Sequence, residues 1–189
     1  LELAMRQRMK WCKMDIGDAY LNACLYKSKG DDVILIIIPR YLTMILVENL
    51  PGLKGFVDPR SGMLWVQVLK AMYGLVQSAS LWYEVLVKFF TSLGFKSSTL
   101  DQWMLTKMNR KDMTIIMLYV DDILMLADNK KSINWLYCKL EEEYETVDID
   151  TLESFTYLGM VLSTEPNGMA LVNMKGYTVN VVSDYEAQY

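Results

Sequence analysis

Between Met113 and Ala127 the chain reads MTIIMLYVDDILMLA, an apolar run with two adjacent carboxylates, Asp121 and Asp122, at its centre. Thr114 to Val120 and Ile123 to Ala127 are both rich in β-branched or large apolar residues, the pattern of two strands. An Asp-Asp break between them suits a tight hairpin, which would set both acids at the tip of a buried ribbon. Burying one unpaired carboxylate costs several kcal/mol, and two like charges side by side cost more. A shared cation offsets that cost, and oxygen-only ligands point to a hard ion, Mg²⁺ or Mn²⁺. Asp-Asp is also an ordinary solvated turn dipeptide. These residues alone leave both readings open.

The 189 residues are 52% hydrophobic, enough for one globular domain with a substantial core. A net charge of −4 supplies no overall basic field for nucleic acid, so any such function needs clustered basic residues or segments outside this chain. Histidine is absent, which eliminates Ser-His-Asp and Cys-His catalysis and any His-ligated metal. Cys12, Cys24 and Cys138 have no metal-like spacing and are odd in number, as expected of reduced thiols in an intracellular protein. Leu1 to Arg8 is not a signal peptide, and the apolar run is too short and too acidic to span a bilayer. The sequence opens without Met, within what reads as an element, the expectation for a piece of something longer.

Along the chain, Lys10 to Ile16 reads as a strand carrying Asp15, followed by a short helix in Gly17 to Leu25. Val33 to Ile38 is a continuous β-branched run, expected as a buried strand stopped by Pro39. A loop punctuated by Pro and Gly spans Leu50 to Gly62, and Met63 to Met72 is a further strand candidate. Trp82, Val85, Leu86, Phe89, Phe90 and Leu93 recur at helical spacing, with Ser78 or Ser80 as cap and Gly94 as stop. Asp101 to Met108 and Thr114 to Val120 pair across Asn109-Arg110-Lys111-Asp112. A second amphipathic helix covers Lys131 to Tyr144, with Glu141 to Glu143 on its solvated face. Phe155 to Ser163 and Met169 to Met174 read as a last hairpin around Pro166-Asn167-Gly168.

Strands and helices without strict βαβ alternation predict an α+β fold, an antiparallel sheet with helices packed on one face. Asp15 also ends an apolar-flanked strand and is the best third acid. Three carboxylates at neighbouring strand ends could hold two Mg²⁺ ions roughly 3.5–4 Å apart, chemistry that needs no histidine.

These residues resemble the reverse transcriptase of copia-type LTR retrotransposons, a segment of a larger Pol polyprotein, in order from about Trp11 to Tyr177. Met14 to Ala23, MDIGDAYLNA, resembles the family's first catalytic block; Lys70 to Glu84, KAMYGLVQSASLWYE, its next. Tyr119 to Asp122, YVDD, resembles the metal-binding hairpin, and Phe155 to Leu162, FTYLGMVL, the block whose hairpin grips the primer. The resemblance implies a reverse-transcriptase palm core over residues 1–177, its fingers truncated, with 178–189 leading towards the thumb and RNase H region. It implies an RNA-directed DNA polymerase that joins a dNTP to a primer 3′-OH with two Mg²⁺ ions, or Mn²⁺. By resemblance Asp15, Asp121 and Asp122 are catalytic metal ligands and Tyr20 is the sugar gate. Tyr73, Gly74 and Gln77 contact nucleotide and template; Tyr157, Leu158, Gly159 and Met160 form the primer grip.

Implied partners are the RNA or DNA template-primer and the integrase and RNase H segments of the polyprotein, with no membrane. The implied location is a cytoplasmic virus-like particle or the nucleus. The chain departs from the family at Val76, Ala79 and Ser80, where Lys, Pro and Arg are usual, and at Gly17, where Lys is usual. Losing cations near the nucleotide weakens phosphate binding. A non-catalytic relic, at most a weak nucleic-acid-binding module, is the alternative reading.

Overall fold

In the computed structural model, residues 6–25, 33–165 and 169–188 are described; the turn expected at Pro166-Asn167-Gly168 lies outside them. The chain runs β1 (Lys10–Ile16), a 3-10 turn (Ala19–Asn22), β2 (Leu35–Ile38), α1 (Arg40–Asn49), a second 3-10 segment (Pro51–Phe56) and β3 (Leu64–Gln67). It continues through α2 (Ser78–Ser92), β4 (Lys96–Ser97), β5 (Met104–Asn109), β6 (Asp112–Tyr119), β7 (Asp122–Ala127) and α3 (Lys130–Glu143). The last elements are β8 (Val147–Asp150), β9 (Ser154–Tyr157), β10 (Met160–Thr164), β11 (Ala170–Asn173) and α4 (Lys175–Gln188). Two compact units result, one of residues 1–19 with 83–189, the other of residues 20–82.

The first unit is built on a six-stranded antiparallel sheet in the order β4-β5-β6-β7-β1-β8. Side chains alternate across a strand, so β1 sends Cys12, Met14 and Ile16 to one face and Trp11, Lys13 and Asp15 to the other. Against the first face packs α3, over β1, β7 and β8, through Ile133, Leu136 and Leu140. Asn129 starts that helix, its side chain accepting the Ser132 N–H at 2.9 Å. The second face carries a cluster of Trp11, Ile115, Leu124 and Leu126 with Phe155, Tyr157 and Leu162 of the three-stranded sheet β11-β10-β9. Helices on one face alone were expected; here the opposite face is roofed by a second sheet. Each large side chain so buried stabilises the fold by about 1.5–3 kcal/mol.

Helix α2 ends as its sequence predicts. Gly94 takes φ +88, Phe95 N–H donates to Phe90 O at 3.0 Å, and the Phe90 and Phe95 rings meet at 5.7 Å, a Schellman stop with its apolar contact. Lys107 Nζ then donates to Leu93 O at 2.8 Å and lies 3.9 Å from the Trp135 ring centroid, so a cation closes the negative end of the helix.

Several expectations are corrected. The hairpin turn is Val120-Asp121, with Tyr119 opposite Asp122; Asp122 belongs to β7. Val120 supplies the turn's positive φ, +55, an unusual conformation for a β-branched residue. Phe155 to Ser163 is not one strand but the hairpin β9–β10, because Leu158 and Gly159 both take positive φ, 50 and 75, as a type I′ turn requires. In the second unit, among the described residues, β2 pairs with β3 alone, and a two-stranded ribbon cannot cover both faces, so Leu35 and Ile37 are exposed rather than buried. The helix α1 follows Pro39 where no helix was expected, although RYLTMILVEN has an amphipathic contrast close to that of α2 and α3. Strand β8 and helix α4 were likewise not expected from the sequence.

Candidate active site

Strand β1 places Asp15 directly opposite Asp122 of β7, and β6 places Tyr119 opposite Asp122 from the other side. Opposed residues share a face, so Lys13, Asp15, Asp122 and Tyr119 stand together where the apolar surface of Trp11, Leu124 and Leu126 runs out. Asp121 adjoins them in the turn. Its carbonyl accepts the Ile16 N–H at 3.4 Å, and its Oδ1 is buried.

Two acids face to face need a counter-charge. Lys13 supplies one: its Nζ lies 2.7 Å from Asp122 Oδ1, with the two side chains 26% and 24% exposed. Burial lifts the Asp15 carboxyl above its ordinary range; Lys13 draws it back down, while Asp122 and Asp121 push it up. Tyr157 of β9 reaches the same field. Its hydroxyl is pushed up to about 12, chiefly by burial and further by Asp122 and Tyr119. One residue of the expected primer-grip segment therefore lies beside the expected catalytic acids. The turn it enters, Tyr157-Leu158-Gly159-Met160, is closed by the Tyr157–Met160 pair.

Gly17 stands where the neighbouring chain comes closest. Its N–H donates to Thr146 O at 3.0 Å, and a Cβ would meet Thr146 Cβ at 2.9 Å. A larger side chain at this position would therefore have to displace the Thr146 side chain.

In the second unit, Ala71 N–H donates to Ala23 O at 2.8 Å and Leu25 N–H to Leu69 O at 3.0 Å. This short ladder joins the ends of the first two motifs and brings the Tyr20 and Tyr73 rings to 4.5 Å, edge to face. Ser78 Oγ accepts from Met72 N–H and donates to Met72 O, closing the loop that carries Gly74 and Gln77. Gly74 takes φ +93 with open space around it, and Gln77 is exposed.

The donor set of the first unit fits a hard divalent cation in kind, being carboxylate oxygen throughout. Among the described residues no group of three or more His, Cys, Asp or Glu is arranged to hold a metal ion. What the structure brings together is the Asp15–Asp122 pair, with Asp121 in its electrostatic field. The sequence reading missed Lys13. Its signal was available: a lysine two residues before Asp15 on one strand must share its face.

A model of the reverse transcriptase (RNA-dependent DNA polymerase) family matches residues 1–188. The retrovirus-related Pol polyprotein from transposon RE1 of Arabidopsis thaliana is 27% identical over 117 residues, 62% of this chain and 8% of that protein. A putative transposon Ty5-1 protein of Saccharomyces cerevisiae is 24% identical over 173 residues, 92% of this chain and 49% of that one. The structure of an apo telomerase from Candida tropicalis, truncated from its C-terminal domain, aligns with a TM-score of 0.40 and 12% identity over 86% of this chain and 38% of that one, too loose a likeness to bear on the fold. This chain therefore spans less than a tenth of the RE1 polyprotein and about half of the Ty5-1 protein. With nearly its whole length matched and retrotransposon Pol proteins among its relatives, the chain belongs to the reverse transcriptase (RNA-dependent DNA polymerase) family.

Proposed function

We propose that this chain is the palm core of a copia-type retrotransposon polymerase, which adds deoxynucleotides to a primer 3′-OH on an RNA or DNA template. The observation that carries the reading is the opposition of Asp15 and Asp122 across β1 and β7, with Asp121 in the adjoining turn. Two motifs more than a hundred residues apart in sequence meet there, which supports reading their carboxylates as oxygen donors to a cation. Asp15, Asp121 and Asp122 would hold two Mg²⁺ ions, or Mn²⁺, which when bound supply the positive charge that activates the 3′-OH and neutralises the triphosphate.

The chain's own residues do the rest. Burial and mutual repulsion leave the acids short of positive charge, which favours cation capture. Tyr157, Leu158, Gly159 and Met160 form a tight hairpin turn that would hold a primer end. Tyr20, held edge-on by Tyr73, would block a sugar 2′-OH; Gly74 and Gln77 offer backbone and amide to nucleotide and template. The remaining Pol segments, integrase and RNase H, would be its covalent partners. Action would be in a cytoplasmic particle or the nucleus; no helix among the described residues is long and apolar enough to cross a membrane.

One set of observations favours a second reading, a non-catalytic relic: Val76, Ala79 and Ser80 replace residues that carry or shape phosphate contacts in the family, and among the described residues no three acids are arranged to hold a metal ion. Primer extension on poly(rA)/oligo(dT) with Mg²⁺ or Mn²⁺ separates the two. The chain is assayed alone and within a longer Pol segment, beside Asp121→Asn. Extension that disappears in the variant is the expected result. A folded longer protein without extension would leave the relic reading standing.

A further inference from the structure

Lys13 is held more closely to the acids than an incidental surface lysine. It lies two residues before Asp15 on β1 and points to the same face, with its ammonium 2.7 Å from Asp122 Oδ1. Both partners are about three-quarters covered, so the pair is shielded from bulk water more than an exposed ion pair. Across β1, Leu124 stands opposite Lys13, so its stem rises from apolar surface while its head reaches the carboxylate one step along the strand.

We propose that Lys13 is the resident counter-cation of the acid pair, holding Asp122 when no divalent cation is present and competing with that cation for the same carboxylate. The inference rests on the reading of Asp15, Asp121 and Asp122 as cation ligands and goes beyond it by assigning a residue that sets their affinity. A lysine suits the task. Its ammonium is a point charge on a flexible four-carbon stem, able to swing away as a cation enters, whereas a guanidinium fork would hold the carboxylate in a fixed geometry.

Competition gives Lys13 two effects of opposite sign, which separates it from a structural role. Removing its charge leaves the acids facing one another, so the cation-free fold weakens. The same removal frees Asp122, so a divalent cation binds more tightly. A residue needed only for packing would weaken both.

The test measures binding of Mn²⁺ alone by calorimetry and by the loss of the free-ion EPR signal. Wild type, Lys13→Met, Lys13→Gln, Lys13→Arg and Asp15→Asn are compared, each with its melting temperature in EDTA. The expected result is about tenfold tighter Mn²⁺ binding by Lys13→Met and Lys13→Gln, with a lower melting temperature in EDTA, and binding weaker than wild type by Lys13→Arg, whose fork keeps hold of Asp122. The glutamine variant keeps the comparison intact if the methionine variant does not fold. Equal or weaker Mn²⁺ binding by both neutral variants, with wild type binding normally, overturns the role of Lys13 alone. Mn²⁺ bound equally by wild type and Asp15→Asn, or by neither, overturns the ligand reading and this inference with it.

Discussion

Replacing Asp15 by Asn should make the cation-free protein more stable at neutral pH, although it removes a residue proposed to be catalytic. Asp15 has Asp122 directly across the ladder, Asp121 in the adjoining turn, and Lys13 as the opposing charge. Charges about 5 Å apart at a partly exposed site, with an effective dielectric of about 40–80, interact by roughly 1–2 kcal/mol each. Two repulsions against one attraction leave about one uncompensated repulsion, near 1 kcal/mol, the size of the stronger cross-strand pair interactions and of opposite sign. In a chain of this length that corresponds to a rise of about 2–4 °C in Tm.

The pH dependence follows from the direction of the Asp15 shift. Its folded-state pKa is raised above the ordinary 3.8, so the folded chain holds the proton more tightly than the unfolded one. The associated stability is fully present below pH 3.8 and is lost as pH rises through the raised value. The advantage of the Asn variant should therefore be small in acid, appear across that window and stay constant above it. Salt should reduce it, since a few tenths molar shortens the screening length to roughly the spacing of the charges. Added Mg²⁺ should reverse the order: a cation at ten times its Kd stabilises wild type by about 1.4 kcal/mol and the variant by less. The assay is a melting curve in EDTA from pH 3.5 to 8, repeated with Mg²⁺. An Asn variant that melts below wild type at pH 7 in EDTA would refute the reasoning and mean that the carboxylate makes contacts worth more than the repulsion.

Two further outcomes are accessible with simple measurements. Gly159→Val should lose about 1–2 kcal/mol in urea unfolding, because the left-handed φ of +75 strains any L side chain while nothing within 4 Å would clash with the added Cβ; unchanged stability would mean that the turn has another conformation. Cys12 is buried with its thiol pushed up to about 12 by desolvation, whereas Cys24 and Cys138 are exposed. Maleimide mass labelling should thus give two adducts in the native protein and three in denaturant, and three native adducts would contradict the buried position of β1.

Much of this arrangement is legible in the sequence, and what is not has identifiable causes. Helices α2 and α3 declare themselves because their apolar residues recur every three or four positions and their ends carry Gly94 and Asn129. The β6–β7 ribbon is visible as apolar runs, but the turn slips by one residue from the expected place. Composition favours Asp-Asp at the turn, yet the register Tyr119–Asp122 is set by core pairing on both flanks, which forces Val120 into a conformation it does not favour. The β9–β10 turn hides inside FTYLGMVL because Leu158 gives no turn signal and Gly159 gives only half of one. Helix α1 has nearly as much helical contrast as α2 and α3, but the side chain it buries is Thr43, so the apolar pattern does not mark its packed face. As for the acids, the motifs name Asp15, Asp121 and Asp122, but only the ladder shows that Lys13 joins Asp122.

The placement of the site depends on the core more than on the site residues themselves. Six consecutive pairs, from Lys10–Ala127 to Asp15–Asp122, fix β1 against β7. Both faces of this sheet are buried, one under α3 and one under the three-stranded sheet, so a slip of β1 by one residue would drive Trp11 to the helix side and Cys12 and Met14 to the other. That slip exchanges every packed side chain of β1 and costs far more than the repulsion between two carboxylates. The apolar register can therefore hold Asp15 and Asp122 face to face against their charge, with Lys13 limiting the cost. A strained turn at Val120 and like charges at the strand ends are tolerated because the surrounding pairing over-determines them.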